Sequence, residues 1–176
     1  MAISLYDALV PSWIQIVTAV RGLLDKAETY CAEQGIAEGD IITARLADDM
    51  MPFNMQIHWI AHHSMGAFKG VKAGLFQPTD TPPAQDFAGL KAELDAALEG
   101  LAQITPDHME YFEGSTVRFV VPAYNLDIAF TAENFLLSFS QPNFYFHATT
   151  AYDILRGKGM AIGKVDFLGP LRIKAQ

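Results

Sequence analysis

An all-α fold, a four-helix bundle with a small β-hairpin inserted before the last helix, is what this sequence predicts. Three observations carry that prediction. Four stretches place apolar residues at steps of three and four, the spacing of one helix face. One stretch, Val117 to Phe130, alternates apolar and polar residues with period two. Turn-forming residues, among them Gly35, Thr81-Pro-Pro-Ala84 and Pro122-Ala-Tyr-Asn125, separate these stretches.

The first helix carries its stripe on Leu9, Trp13, Val17, Val20, Leu24, Ala27 and Cys31 and stops at Gly35. Pro11 marks either a kink or the true first turn. A short helix over Asp40–Met51 is expected in the first connection. The second helix starts at Pro52, a favoured first-turn residue, and runs to about Gly74 with Phe53, Ile57, Ile60, Ser64, Ala67, Phe68, Val71 and Leu75 on its stripe. The third places Phe87, Leu90, Leu94, Ala97, Leu98, Leu101 and Ile104 at the same spacing and closes at Thr105-Pro106. The hairpin pairs Val117, Phe119 and Val121 with Leu126, Ile128 and Phe130. A lone hairpin is marginal in water, so it must pack on the helices. Thr131 caps the fourth helix, which runs to about Arg156 and is interrupted near Pro142.

With 176 residues, 51% hydrophobic and 18% charged, the chain fits one domain, 1–176, with its own core. A net charge of −8 argues against nucleic acid as a partner. The charge is uneven: residues 79–113 hold eight acidic side chains against Lys91, and 156–176 hold five basic ones against Asp166. The basic charges of the tail are expected to be solvated rather than docked on the acidic segment, while Phe167 and Leu168 between charged residues point to an anchored rather than free segment. Cys31 is the only cysteine and lies on a core stripe, which excludes an internal disulfide and fits a reducing compartment. The N-terminus lacks the basic region of a secretory signal. The longest uncharged run, between Glu133 and Asp153, is broken by Ser, Gln, Pro, Asn, His and Thr, so no membrane span is expected. The expectation is a cytoplasmic protein.

Chemistry is concentrated on two helices. His58 and His62, four residues apart in helix two, have the spacing that puts two imidazoles on one face. At 100° per residue, His58 and His62 lie about 120° and about 160° from the centre of the core stripe. They are therefore expected to face solvent or a partner chain, together with Met50, Met51, Met55 and Trp59 as an adaptable surface. His63, about 100° from the centre, reaches the rim of a cavity beside Gln56, Ala67 and Gly70. On helix four, Ser140, Asn143 and His147 form a polar line flanked by Phe139, Phe144 and Phe146. Buried polar groups need partners, so His147 reads as a core histidine, a pocket residue or a metal ligand. The Asp40, Asp48 and Asp49 group matches no calcium loop, the glycines form no phosphate-binding pattern, and no serine sits in a nucleophile elbow.

At these residues the chain resembles a bacterial family of uncharacterised proteins within the DinB-like superfamily of four-helix bundles. The likeness covers nearly the whole chain. It rests on Ser4-Leu-Tyr-Asp-Ala-Leu-Val-Pro11, on Ala44-Arg-Leu-Ala-Asp-Asp-Met50, and above all on Pro142-Asn-Phe-Tyr-Phe-His-Ala-Thr-Thr-Ala-Tyr-Asp-Ile-Leu-Arg156 with Ile162-Gly-Lys-Val-Asp-Phe-Leu-Gly169. The resemblance implies an up-down-down-up bundle, a homodimer, and a divalent metal such as zinc or nickel held by three histidines. Carried over, His63 is the helix-two ligand and His147 the first helix-four ligand. The remaining position falls on Ala151, which has no ligating atom, so the metal site is relict or repurposed as a pocket.

Two functions are implied. The first is a dimeric binding protein with a small-molecule pocket between helices two and four, lined by His63, Ser140, Asn143 and His147. The alternative is a metal-dependent thiol transferase or isomerase of the DinB-like type, in which the metal activates an external thiol. Assembly through the His58, His62 and methionine face ranks third.

Overall fold

The computed structural model describes residues 3–174. Helix α1 spans Leu5–Gln34, with the Ser4 hydroxyl accepting the Asp7 N–H at its start and Gly35 in the left-handed region at its end. Pro11 lies inside it. A short α2, Glu38–Ile42, comes next, beginning earlier and ending sooner than the pattern suggests. The second predicted helix is α3 (Phe53–Ala61), a π turn (His62–Gly66) and α4 (Ala67–Ala73) in succession. The third is α5, Phe87–Leu101, capped by the Asp86 carboxylate. It stops short of Ile104, which is still buried. A single-turn α6, Pro106–Glu110, then begins at the Thr105 capping box.

The hairpin is present: β2 (Thr116–Val121) pairs antiparallel with β3 (Leu126–Thr131), with Val117 opposite Phe130 and Phe119 opposite Ile128. Asn125 takes positive φ at the turn. The expected all-α class needs one correction, because β1 (Leu75–Phe76) leaves α4 and pairs parallel with β2. The molecule is mostly helical with a small three-stranded sheet. No period could reveal a two-residue strand; its position comes from the chain reversal at Gly74, where φ is 69°.

The last long helix is α7 (Ala132–Asn134), a second π turn (Phe135–Ser140) and α8 (Gln141–Gly157). Pro142 offers no N–H to the preceding turn, and the Ser138 hydroxyl bonds the Asn134 carbonyl. Both disturb the regular ladder where the helix widens. The four long segments pack in neighbouring pairs, α1 against α5 and α8, and α3 against α5 and α8. Between them Trp13, Phe53, Phe87, Phe135 and Phe144 are fully buried. Phe119 and Phe130 seat the sheet on Phe139 at ring separations of 4.6 and 5.9 Å. Cys31 belongs to the core, and burial pushes its thiol pKa up.

The tail is not a loose end. Helix α9, Lys164–Leu168, lies along α1. Asp166 pairs with Lys26, Gln15 donates to the Leu168 carbonyl at 2.8 Å, and Phe167 meets Tyr152. No helix among the described residues is long and apolar enough to cross a membrane.

Candidate functional site

The two π turns face each other across the α3–α8 contact, and His63 and Ser140 sit one in each. The first turn has a local cause. The Ser64 hydroxyl takes the Ile60 carbonyl at 2.8 Å, the acceptor that a regular α-helix would offer to its backbone N–H. Turns of this kind recur at functional sites because they re-aim side chains.

His63 and His147 come together. Their rings are 5.8 Å apart and nearly parallel at 12°, and both stack on Trp59 at 5.4 and 5.9 Å. Phe76 and Phe139 close the apolar side of His63. The hydrogen bonds settle both tautomers. The Gln56 amide donates to the Met51 carbonyl at 2.9 Å, so its Oε1 is free to accept from His147 Nδ1 at 2.7 Å. Ser140 donates to the His63 carbonyl at 2.9 Å, so its oxygen accepts from His63 Nδ1 at 3.3 Å. Each imidazole thus carries its proton on Nδ1 and keeps a lone pair on Nε2.

Both rings are neutral. Burial is the main cause lowering the His63 pKa to about 3, with the nearby His147 and His62 adding to it. Burial lowers the His147 pKa to about 4. Asn143 is half-buried and donates to the Phe139 carbonyl at 2.7 Å, so its amide serves the widened backbone. Trp59 Nε1 is buried without a hydrogen-bond partner among the described residues.

This arrangement makes Gln56 a positioning residue. Replacing it by Leu leaves the His147 Nδ1–H unpaired in a buried place. Gln56→Leu is expected to destabilise the protein by about 1–3 kcal/mol, measurable by urea denaturation at pH 7.

As metal donors the residues fit only in part. Two Nε2 lone pairs, with Nδ1 protons held by second groups, are what imidazole ligation requires. The third position of the pattern, Ala151, is 1% exposed and has no donor.

The outward reading of His58 needs correction. His58 is 7% exposed, with Nδ1 2.6 Å from Glu93 Oε1 on α5. The contact lacks hydrogen-bond alignment. His62 is half-buried, its Nε2 2.9 Å from the Gln77 carbonyl. A single-stripe wheel misplaces His58 because helix two is covered on two flanks, by α8 and by α5. A residue inserted in the π turn also rotates the downstream side chains by about 100°. The sequence pattern places Gln56 beside His63 without giving it a role and sets Trp59 on the outward methionine surface; it does not mark Glu93 at all.

Comparisons with known proteins come to the same architecture. The chain is similar to the crystal structure of a DinB family member protein from Shewanella denitrificans, with a TM-score of 0.83, 24% identity, and coverage of 98% of this chain and 96% of that one. That likeness shows the fold. No curated protein matches the sequence. A family model described as domain of unknown function (DUF1993) matches residues 5–168. The chain therefore belongs to that family of domains of unknown function, and its fold is the one seen in the DinB family member.

Proposed function

We propose that residues 1–176 form a single cytoplasmic domain, an up-down-down-up bundle that dimerises and binds a small molecule between helix two and the last helix. His63 and His147 contact the ligand, Ser140 and Gln56 hold the two helices in register, and Asn143 steadies the widened turn beside them. One observation carries the reading. Two neutral imidazoles on separate helices have their Nδ1 protons committed to Ser140 and Gln56, which leaves two acceptor nitrogens side by side. Trp59, which stacks on both rings, adds a donor in its Nε1, which has no hydrogen-bond partner among the described residues. Such a centre suits a ligand with both a donor and an acceptor on an apolar body. Met51 and Phe146, 43% and 54% exposed, are among the apolar groups available for a dimer contact.

A second reading, a zinc- or nickel-dependent thiol transferase or isomerase, is favoured by the same Nδ1 bonds, since they present Nε2 as a ligand. A bound ion would supply Lewis acidity toward an external thiol. The chain would contribute two nitrogens, and the remaining positions would go to water or substrate.

A thermal-shift screen against metabolites tests the first reading, with His63→Asn and His147→Gln as controls. A ligand at about a hundredfold excess over its Kd stabilises wild type by about 2.7 kcal/mol and leaves both variants unshifted. A hit that stabilises the variants equally overturns this site. Elemental analysis of untagged protein separates the second reading, which requires about one ion per chain, lost in both variants.

A further inference from the structure

Helix two has a second flank, and it borders a cleft of about 550 Å³ toward α5 and the loop after β1. His63 and His147 do not line it. Its walls are small residues, Ala61, Gly66, Gly70, Ala96 and Ala97, which is why space remains between the two helices. A Cβ on Gly66 would lie 3.2 Å from His62 Nδ1, so the absence of a side chain there leaves that nitrogen uncrowded.

Glu93, His58 and His62 are the acceptors of this cleft, which Lys69, Gln77, Thr79 and Thr81 also line. Glu93 contributes a carboxylate whose side chain is 25% exposed. Its charge beside His58 Nδ1 favours the proton on that nitrogen, leaving Nε2 as an acceptor. His58 Nε2 is buried and has no hydrogen-bond partner among the described residues. His62 Nε2 faces a carbonyl, which can only accept, so it carries the proton and Nδ1 is the open lone pair. The two rings lie 6.5 Å apart and within 9° of parallel. Lys69, the one cation among the described lining residues, is exposed at the rim where solvent screens it.

Glu93 thus stands beside imidazole lone pairs with no lysine or arginine paired to it among the described residues. We propose that this cleft is a second ligand site, which takes a small organic cation with a primary ammonium group set against Glu93 and one of its N–H donors shared with His62 Nδ1. The ammonium supplies three donors at one point, matching a carboxylate and neighbouring lone pairs. The methylene or ring body of the ligand lies on the alanine and glycine walls and on Phe76.

Isothermal titration of the full chain with ethanolamine, 1,4-diaminobutane and 2-phenylethylamine, each beside its form with every amine N-acetylated, tests this. At least one amine is expected to saturate at one per chain while its N-acetyl form does not bind. Glu93→Gln weakens that amine at least about tenfold. Ala96→Phe, at an exposed position on the cleft wall, abolishes it. Glu99→Gln, an exposed change on the same helix outside the cleft, leaves the Kd within about twofold and so controls for net charge. Melting temperatures of all variants confirm the fold, and Ala96→Phe keeps the test decisive should Glu93→Gln unfold. No saturation by any amine at millimolar concentration overturns the proposal. So does equal binding of the N-acetyl forms, or a Kd unchanged in both cleft variants. The same holds if zinc alone saturates the cleft and is lost in His58→Ala.

Discussion

Acidifying the solution from pH 7 to pH 5 is expected to destabilise this protein by roughly 2 kcal/mol for each of His63 and His147. Their folded-state pKa values lie near 3 and 4, below the ordinary value of 6.5, because burial penalises the charged rings. Folding therefore favours the neutral form. Stability is full above pH 6.5, where the unfolded chain is also neutral. It falls as the unfolded histidines take up protons that the folded ones refuse, and the loss levels off only near pH 3–4. His62, lowered chiefly by burial as well, adds to the same slope. The carboxylates of Asp25, Asp127 and Asp166, held below their ordinary range mainly by hydrogen bonds to Arg21, Arg118 and Lys26, titrate lower still. The window from pH 7 to 5 thus reports histidines. Urea denaturation of wild type and of the His63→Asn, His147→Gln pair at both pH values measures it. Equal slopes would mean that the two rings are hydrated in solution and that the buried centre is wrong.

Adding a histidine is expected to do as much at the same centre. Ala151 lies one turn beyond His147 on α8, so Ala151→His creates an i,i+4 imidazole pair beside His63. Zinc affinity should rise by about a hundredfold, roughly 2.7 kcal/mol, because three nitrogens replace two. The enlarged side chain enters a packed site and costs about 1–3 kcal/mol of stability. Competition against a chromophoric chelator reads the gain, and Ala151→His combined with His147→Gln should remove it. An unchanged affinity would show that the α8 face at 147 and 151 does not converge on His63.

Much of this could be read along the chain. The stripe from Leu9 to Cys31 became α1 down to its Gly35 stop, and the alternation from Val117 to Phe130 became β2 and β3, because local period and turn chemistry dictate both. The interruption near Pro142 became a π turn, since a missing N–H is a property of one residue. His58 went the other way. Its wheel position points outward, yet α5 covers it with Glu93, and no local pattern tells how many neighbours a helix will have.

The sequence by itself determined the helical stripes, the hairpin and its caps, and the choice of His63 and His147 as residues of interest. These depend on steric and hydrogen-bonding preferences that act within a few residues. Only the tertiary structure decided that Gln56 sets the His147 tautomer across 91 residues, that Ser140 does so for His63 across 77, and that β1 joins the sheet. It also decided that α9 straps α1 and that a cleft opens beside His58. Those contacts join segments far apart in the chain. Their energies depend on burial and on charge at short range, which exist only once the helices have packed.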